Sequence, residues 1–390
     1  MPTRVIAAAA ALALASGCTR SGDVASPAAP AQRSADVGQA RLMLEVLRAA
    51  GSGQVTEVQV EALMASRGTQ LVIEQQNRSR QVTQAQYRAL LAGLARPELP
   101  SLTAADGGER ARRGLDGLRK DVWPALRWGT ANADLLAGRI ASLEKMDVGA
   151  AAHDLAVSML PSDTPVTARL HVVMGGRAGA AALGDGSIYI DVLALSYRDH
   201  VGAMPYPSAR ELIELFAHEI HHLGMRPVLA RRLSGLNLKP FEQRAFETLA
   251  VMVMEGSATY LINARGDLAA LRRDPAYAAF LADPDRLVAQ CEDLLSAIVN
   301  RGLAGEAYEK AITPMIGSGF HGAGALFLDA IWRDGGRKAV MNVVSDPRLL
   351  FAAYNAAAAR LTADRPLRRI DATLAVKVSA MGINVRSHRF

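Results

Sequence analysis

Apolar residues recur at helical spacing along most of this 390-residue chain and at strand spacing in one short stretch. From Gln39 to about Leu94 the repeat of Leu42, Val46, Leu47, Val58, Leu63, Leu71, Tyr87, Leu90 and Leu94 predicts three or four helices, interrupted at Gly51-Ser52-Gly53 and at Gly68. A second helical stretch runs from Gly108 to about Leu160 and carries Trp123 and Trp128. The texture changes at Val166. Ala168 to Met174 is a β-branched run that stops at Gly175-Gly176, and Ser187 to Val192 reads as another strand. The Gly/Ala-rich segment between them lacks the Gly-Lys-Ser/Thr of a phosphate loop, so a hairpin connection accounts for it better. Beyond Asp199 the pattern is helical almost to the end, without internal repeats. The expected class is mainly α with a small β-sheet, an α+β fold.

At the N-terminus the pattern has a different meaning. Arg4 precedes the apolar run Val5 to Ala15, which has signal-peptide length and is too short for a spanning helix. Leu14-Ala15-Ser16-Gly17-Cys18 resembles a lipobox, with Ala15 where Leu is more usual, which makes Cys18 the expected lipidation site. Thr19 follows the cysteine, and without an Asp there the outer membrane, facing the periplasm, is the default destination. Cleavage after Ala13-Leu14-Ala15, leaving a protein secreted to the periplasm, is the alternative. Residues 19–37 are rich in Ser, Ala, Pro and Gly and read as a flexible tether.

Charge and cysteine content narrow the classes further. Net charge is +6, but the Arg-rich spots (110–113, 226–232, 365–369) are scattered and carry no interleaved aromatics, so nucleic acid is not an expected partner. Of the two cysteines, lipid on Cys18 leaves Cys291 alone, with no disulfide. Cys291 lies in a helical apolar pattern and reads as a core thiol.

The candidate chemistry sits in the segment Ser208 to Gly224. Pro205 and Pro207 precede it, Ser208 and Glu211 form a capping-box pair, and Gly224 with Pro227 are expected to close the helix. Within it His218, Glu219 and His222 form His-Glu-x-x-His. Positions i and i+4 share one helix face, so two imidazoles can hold one Zn2+ from the same side, with Glu219 placed as general base. His221 is expected to pack or support these ligands. A catalytic zinc needs a third protein ligand. Residue 228 is Val and the next histidine is His321, which excludes the metzincin pattern. Glu255, in the apolar run Met252 to Leu261, is the preferred third ligand, and Glu247 is the runner-up. Pairing of Glu255 with Arg210 or Arg244 is the structural alternative. His321, in a Gly-rich stretch, is the first candidate to stabilise an oxyanion, ahead of Tyr260 and Tyr308.

His218-Glu219-x-x-His222 followed by Glu255-Gly256-x-Ala258 resembles the gluzincins. More narrowly, the chain is similar to an uncharacterised bacterial family of zinc-dependent peptidases. Val172 to Arg177 leading to Ile188 to Asp191, and Gly319 to Gly324 leading to Gly335 to Lys338, support that resemblance, which runs from about Leu42 to Tyr354. It implies a zincin-like catalytic domain with one Zn2+ per chain and a peptide or protein substrate. It also suggests that the strand Ile188 to Val192 is an edge on which an extended peptide lies. Thr259 stands where some gluzincins carry an Asp that orients a zinc-bound histidine. The expected organisation is a signal peptide (1–18), a tether (19–37), an N-terminal helical region (38–160) and a catalytic region (161–390). The competing reading is a non-catalytic envelope lipoprotein with a structural zinc site, in which His221 or His321 supplies a fourth ligand.

Overall fold

The computed structural model describes residues 35–382 apart from 78–79, 105–107, 147, 163, 178, 317 and 362–365. The signal segment, Cys18 and nearly all of the tether therefore lie outside the described residues. The described chain falls into two compact units, 35–154 with 167–220 and 155–166 with 221–382.

The first unit opens with four helices, α1 (Gly38–Gly51), α2 (Glu57–Ala65), α3 (Arg67–Gln76) and α4 (Gln84–Ala92). Thr56 and Thr83 start α2 and α4 with reciprocal capping boxes to Gln59 and Gln86. The break at Gly51-Ser52-Gly53 is present, with Gly53 at φ 75°. Gly68 does not break a helix. It lies in the first turn of α3, where a Cβ would come within 2.4 Å of the Gln39 side chain, so it serves close packing. Helices α5 (Glu109–Gly117), α6 (Trp123–Ala131), α7 (Ala133–Lys145) and α8 (Val148–Ser158) follow.

The sheet corrects two expectations. Its strands β1 (Arg169–Val173), β2 (Ala180–Ala182) and β3 (Ser187–Asp191) are ordered β1-β3-β2. β1 and β3 run parallel, so no hairpin joins them; the hairpin is β2–β3, and the strand hidden in the Gly/Ala-rich segment is all alanine. β3 is the central strand, buried throughout and hydrogen-bonded on both sides, so it is not an edge for a peptide. Its last residue, Asp191, caps α9 (Val192–His200) through Ala194 N–H and accepts from the amides of Gly175 and Arg177. Burial raises its carboxyl above the ordinary range despite those bonds.

After α9 the described chain is helical, as the apolar pattern predicts. α10 (Ala209–Ser234) crosses the division between the units as one helix. The second unit then contains α11 (Pro240–Ser257), a wide π-helical turn (Ala258–Asn263), α12 (Leu268–Arg273), α13 (Pro275–Leu281), α14 (Pro284–Arg301) and α15 (Gly305–Ile312). α16 (Ser318–Ser345) bends at Gly336, where φ is 62° and ψ −161°, and α17 (Leu350–Arg360) and α18 (Ala372–Ser379) complete it. Pro240–Asn263 is long and apolar enough to cross a bilayer by composition alone, yet 94% of its apolar window is buried inside the protein, as befits a core helix.

The core of this unit depends on how closely α11 and α16 approach. A Cβ at Gly324 would lie 2.1 Å from the Met252 carbonyl oxygen, and one at Gly256 would lie 2.4 Å from the Gly324 backbone. The two backbones touch there, and only glycine permits it. Around the crossing pack Met252, Phe327, Phe351 and Tyr354, with Phe327 edge-on to both rings. Cys291 of α14 is fully buried in the same core, and burial pushes its thiol up to about 12.

Gly324→Ala forces the helices apart and is expected to cost about 1–3 kcal/mol or more in thermal unfolding. Gly138→Ala is the control: its Cβ meets nothing within 4 Å in α7, and it should stabilise by about 0.5–1 kcal/mol. Cys291 should resist a thiol reagent at pH 8 in the folded chain and react fully only after denaturation.

Candidate metal centre

α10 begins as its sequence predicts. Ser208 N–H donates to Glu211 Oε2 at 2.7 Å, and Glu211 N–H donates to Ser208 Oγ at 3.4 Å. It does not end as predicted, because Gly224 and Pro227 lie inside a helix that continues to Ser234. Gly224 is a packing site, where a Cβ would come within 2.3 Å of Leu160 Cδ1. Pro227 lacks the amide that would bond one turn back, but its ring fits helical φ and does not stop the chain. Beyond it Arg232 pairs with Asp346, a carboxylate also bridged by buried Arg348 at 2.8 Å. Burial opposes the charge on Asp346, but its two arginine partners outweigh that and hold its carboxyl below the usual range.

His218 and Glu219 are 6% exposed, and His221 and His222 are wholly buried. His218 stands one helical turn before His222 on the same face of α10. Glu255, in the last turn of α11, is 2% exposed. Its Oε2 is 3.1 Å from His222 Nε2 and 3.2 Å from His321 Nε2. Ligands held at roughly 2.0–2.1 Å around a tetrahedral zinc are separated by about 3.3 Å, so the two contacts at Glu255 have the length of a tetrahedral edge. The donor set of imidazoles and one carboxylate suits zinc, and burying that carboxylate is costly without a cation. The residues fit the metal, and the cluster is compatible with a zincin-like site.

The alternatives held open by the sequence resolve differently. Glu247 is only partly buried and accepts from Gln243 at 2.9 Å within its own helix. Arg210 pairs with Glu214 at 2.8 Å, and Arg244 donates to the Leu303 carbonyl at 3.0 Å, so both arginines have partners other than Glu255. Tyr260 donates to Asp329 at 3.1 Å, and Tyr308 shares a 3.1 Å hydrogen bond with Thr248. His221 Nε2 lies 3.5 Å from Ser257 Oγ in the α10–α11 interface.

One contact beside these residues was missed. Thr259 Oγ1 is 2.7 Å from His321 Nδ1, and Thr259 is fully buried. Thr259 follows Glu255 by one helical turn, and that spacing was the available signal. Thr259 stands in the wide turn that follows α11, a feature often found at functional sites.

No curated protein and no solved structure matches this chain. A family model described as "Putative zinc dependent peptidase (DUF5700)" matches residues 60–363, a span that contains α10, α11 and His321. With well over half of its length matched, the chain belongs to that family.

Proposed function

We propose that the chain is a zinc-dependent peptidase of the gluzincin type that hydrolyses peptide bonds at the cell envelope. The observation that carries this reading is Glu255, a buried carboxylate whose Oε2 meets imidazoles of α10 and α16 at 3.1 and 3.2 Å. His218, His222 and Glu255 would hold one Zn2+, which when bound supplies a Lewis acid that acidifies water and polarises a carbonyl. Glu219 is the residue between the two histidines of α10 and takes the general-base role. Its carboxylate accepts a proton from the attacking water and returns it to the leaving amine. The low exposure of Glu219 and its histidine neighbours excludes bulk water and strengthens each electrostatic contact in the site.

The envelope location rests on the N-terminal sequence. Arg4, the apolar run to Ala15 and the lipobox-like stretch ending at Cys18 support export and lipid anchoring, with the outer membrane as the destination. Peptides or proteins exposed in the periplasm would be the substrates.

Two experiments test these assignments on the full-length chain. Glu219→Gln should keep its zinc, measured by mass spectrometry, while turnover of a peptide library falls about 10²–10⁴-fold. Normal turnover by that variant would remove Glu219 from the mechanism, and a wild type that binds no zinc would remove the peptidase reading. Cys18→Ala should move the chain from the membrane fraction to the soluble fraction. Unchanged membrane association would refute the lipid anchor.

A further inference from the structure

We propose that a cleft beside the last turns of α10 binds a small organic carboxylate, with the Arg231 guanidinium taking its charge. Arg231 stands about 13 Å along the helix axis from His222, so the cleft is a second site on the helix that carries the histidines. The proposal goes beyond the zinc reading and does not depend on it.

The cleft arises from where the chain is pressed onto α10 and where it is not. Both ends of the segment 160–166, which follows α8, meet α10 at Gly224. A Cβ there would stand 2.3 Å from Leu160 Cδ1 and 3.0 Å from Val166 Cγ2. Arg337 of α16 also holds the first end, donating to the Leu160 carbonyl at 3.2 Å. Between the ends, the Thr164 N–H and hydroxyl both donate to the Pro161 carbonyl, at 3.3 and 2.7 Å, and close a turn. Positions three and four apart share a helix face, so the face that meets Leu160 at Gly224 continues to Pro227, Val228 and Arg231. With Pro161, Pro165 and Arg232 these residues line a cleft of about 350 Å³. That volume suits a small ligand. Proline has a fixed φ, so these walls have little freedom left to lose on binding.

The lining is aliphatic along the prolines and Val228 and cationic at the two arginines. Arg232 is committed to Asp346, which Arg348 shares at 2.8 Å, so one carboxylate already serves two guanidiniums. Arg232 Nε is nevertheless buried without a hydrogen-bond partner. Arg231 is exposed and, among the described residues, has no ion-pair or side-chain hydrogen-bond partner. Its place in the last turn of α10 complements the helix dipole, but its guanidinium bonds none of the last carbonyls. A guanidinium without a counter-ion, beside aliphatic walls, matches a monocarboxylate with a short apolar stem. The planar fork takes both oxygens, and the stem lies against the prolines. Inorganic phosphate has no apolar part to place there.

Isothermal titration calorimetry of the full-length chain tests this with isobutyrate, isobutyramide, N-acetyl-α-aminoisobutyrate and inorganic phosphate. The third is a hindered amide that mimics the C-terminus of a peptide. A carboxylate can also reach a metal, so each titration is compared with Arg231→Gln, which leaves the metal cluster untouched. Arg231 is exposed, and its variants are expected to fold. Isobutyrate should bind saturably with a Kd on the order of 1 mM, and isobutyramide should not bind. Arg231→Gln should weaken isobutyrate binding by about tenfold or more, and Arg231→Lys should keep part of it. Tighter binding of N-acetyl-α-aminoisobutyrate than of isobutyrate would support the proposal with a peptide C-terminus as the source. The reverse order would support it with a free small acid. Equal isobutyrate binding by wild type and Arg231→Gln, no binding of either carboxylate, or tighter binding of phosphate would overturn it. A wild type that binds no zinc would overturn the peptidase reading alone.

Discussion

Removing a carboxylate from water costs several kcal/mol unless the lost hydration is replaced, and Glu255 is taken almost wholly out of water inside a long apolar helix buried in the core of its unit. Imidazoles on two other helices, one each from α10 and α16, converge on the same oxygen, which is where a cation would be held. Much else in the second unit can be understood as what this convergence requires. α16 must lie against α11 at backbone distance, which Gly256 and Gly324 permit. α10 must continue past its histidines far enough to be anchored, which Arg232 achieves through Asp346. Its middle must also be pressed close, which Gly224 allows by admitting Leu160.

The sequence disclosed those parts of this arrangement whose logic is local. The His218-to-His222 spacing, the Ser208/Glu211 cap and the apolar run around Glu255 each reflect interactions within one or two turns of helix, and each has the predicted form. The four N-terminal helices were legible for the same reason. What failed was information carried by distant partners. Gly224 looks like a helix end because glycine usually costs a helix conformational entropy, and only the position of Leu160 shows that its missing side chain is the point. β2 was hidden because Ala180 to Ala182 lacks the branched side chains that announce strands, and its pairing comes from β3.

His321 shows the same limit at the site. Its Gly-rich setting reflects a close backbone approach, and the partner in that approach is α11. Where His321 stands depends on the helix crossing and on the hydrogen bond it shares with Thr259, neither of which is written in the residues next to it. The threonine at the position held by Asp in some gluzincins is therefore a neutral hydroxyl serving an imidazole, without the additional negative charge an aspartate would bring into the buried cluster.

The burial of Pro240–Asn263 also has a consequence before folding is complete. A chain threaded through a membrane for export, as proposed above, presents this segment to the bilayer as a stretch apolar enough to stop and insert. Charge within it opposes that diversion, since an ionised residue near the middle of a spanning helix costs insertion about 2.5–3.5 kcal/mol. Arg244 and Glu247 weight the first half of the segment, and Glu255 interrupts the second. The acidic residue that meets two imidazoles in the folded protein would thus already act during translocation, when it would keep a core helix from becoming a membrane anchor.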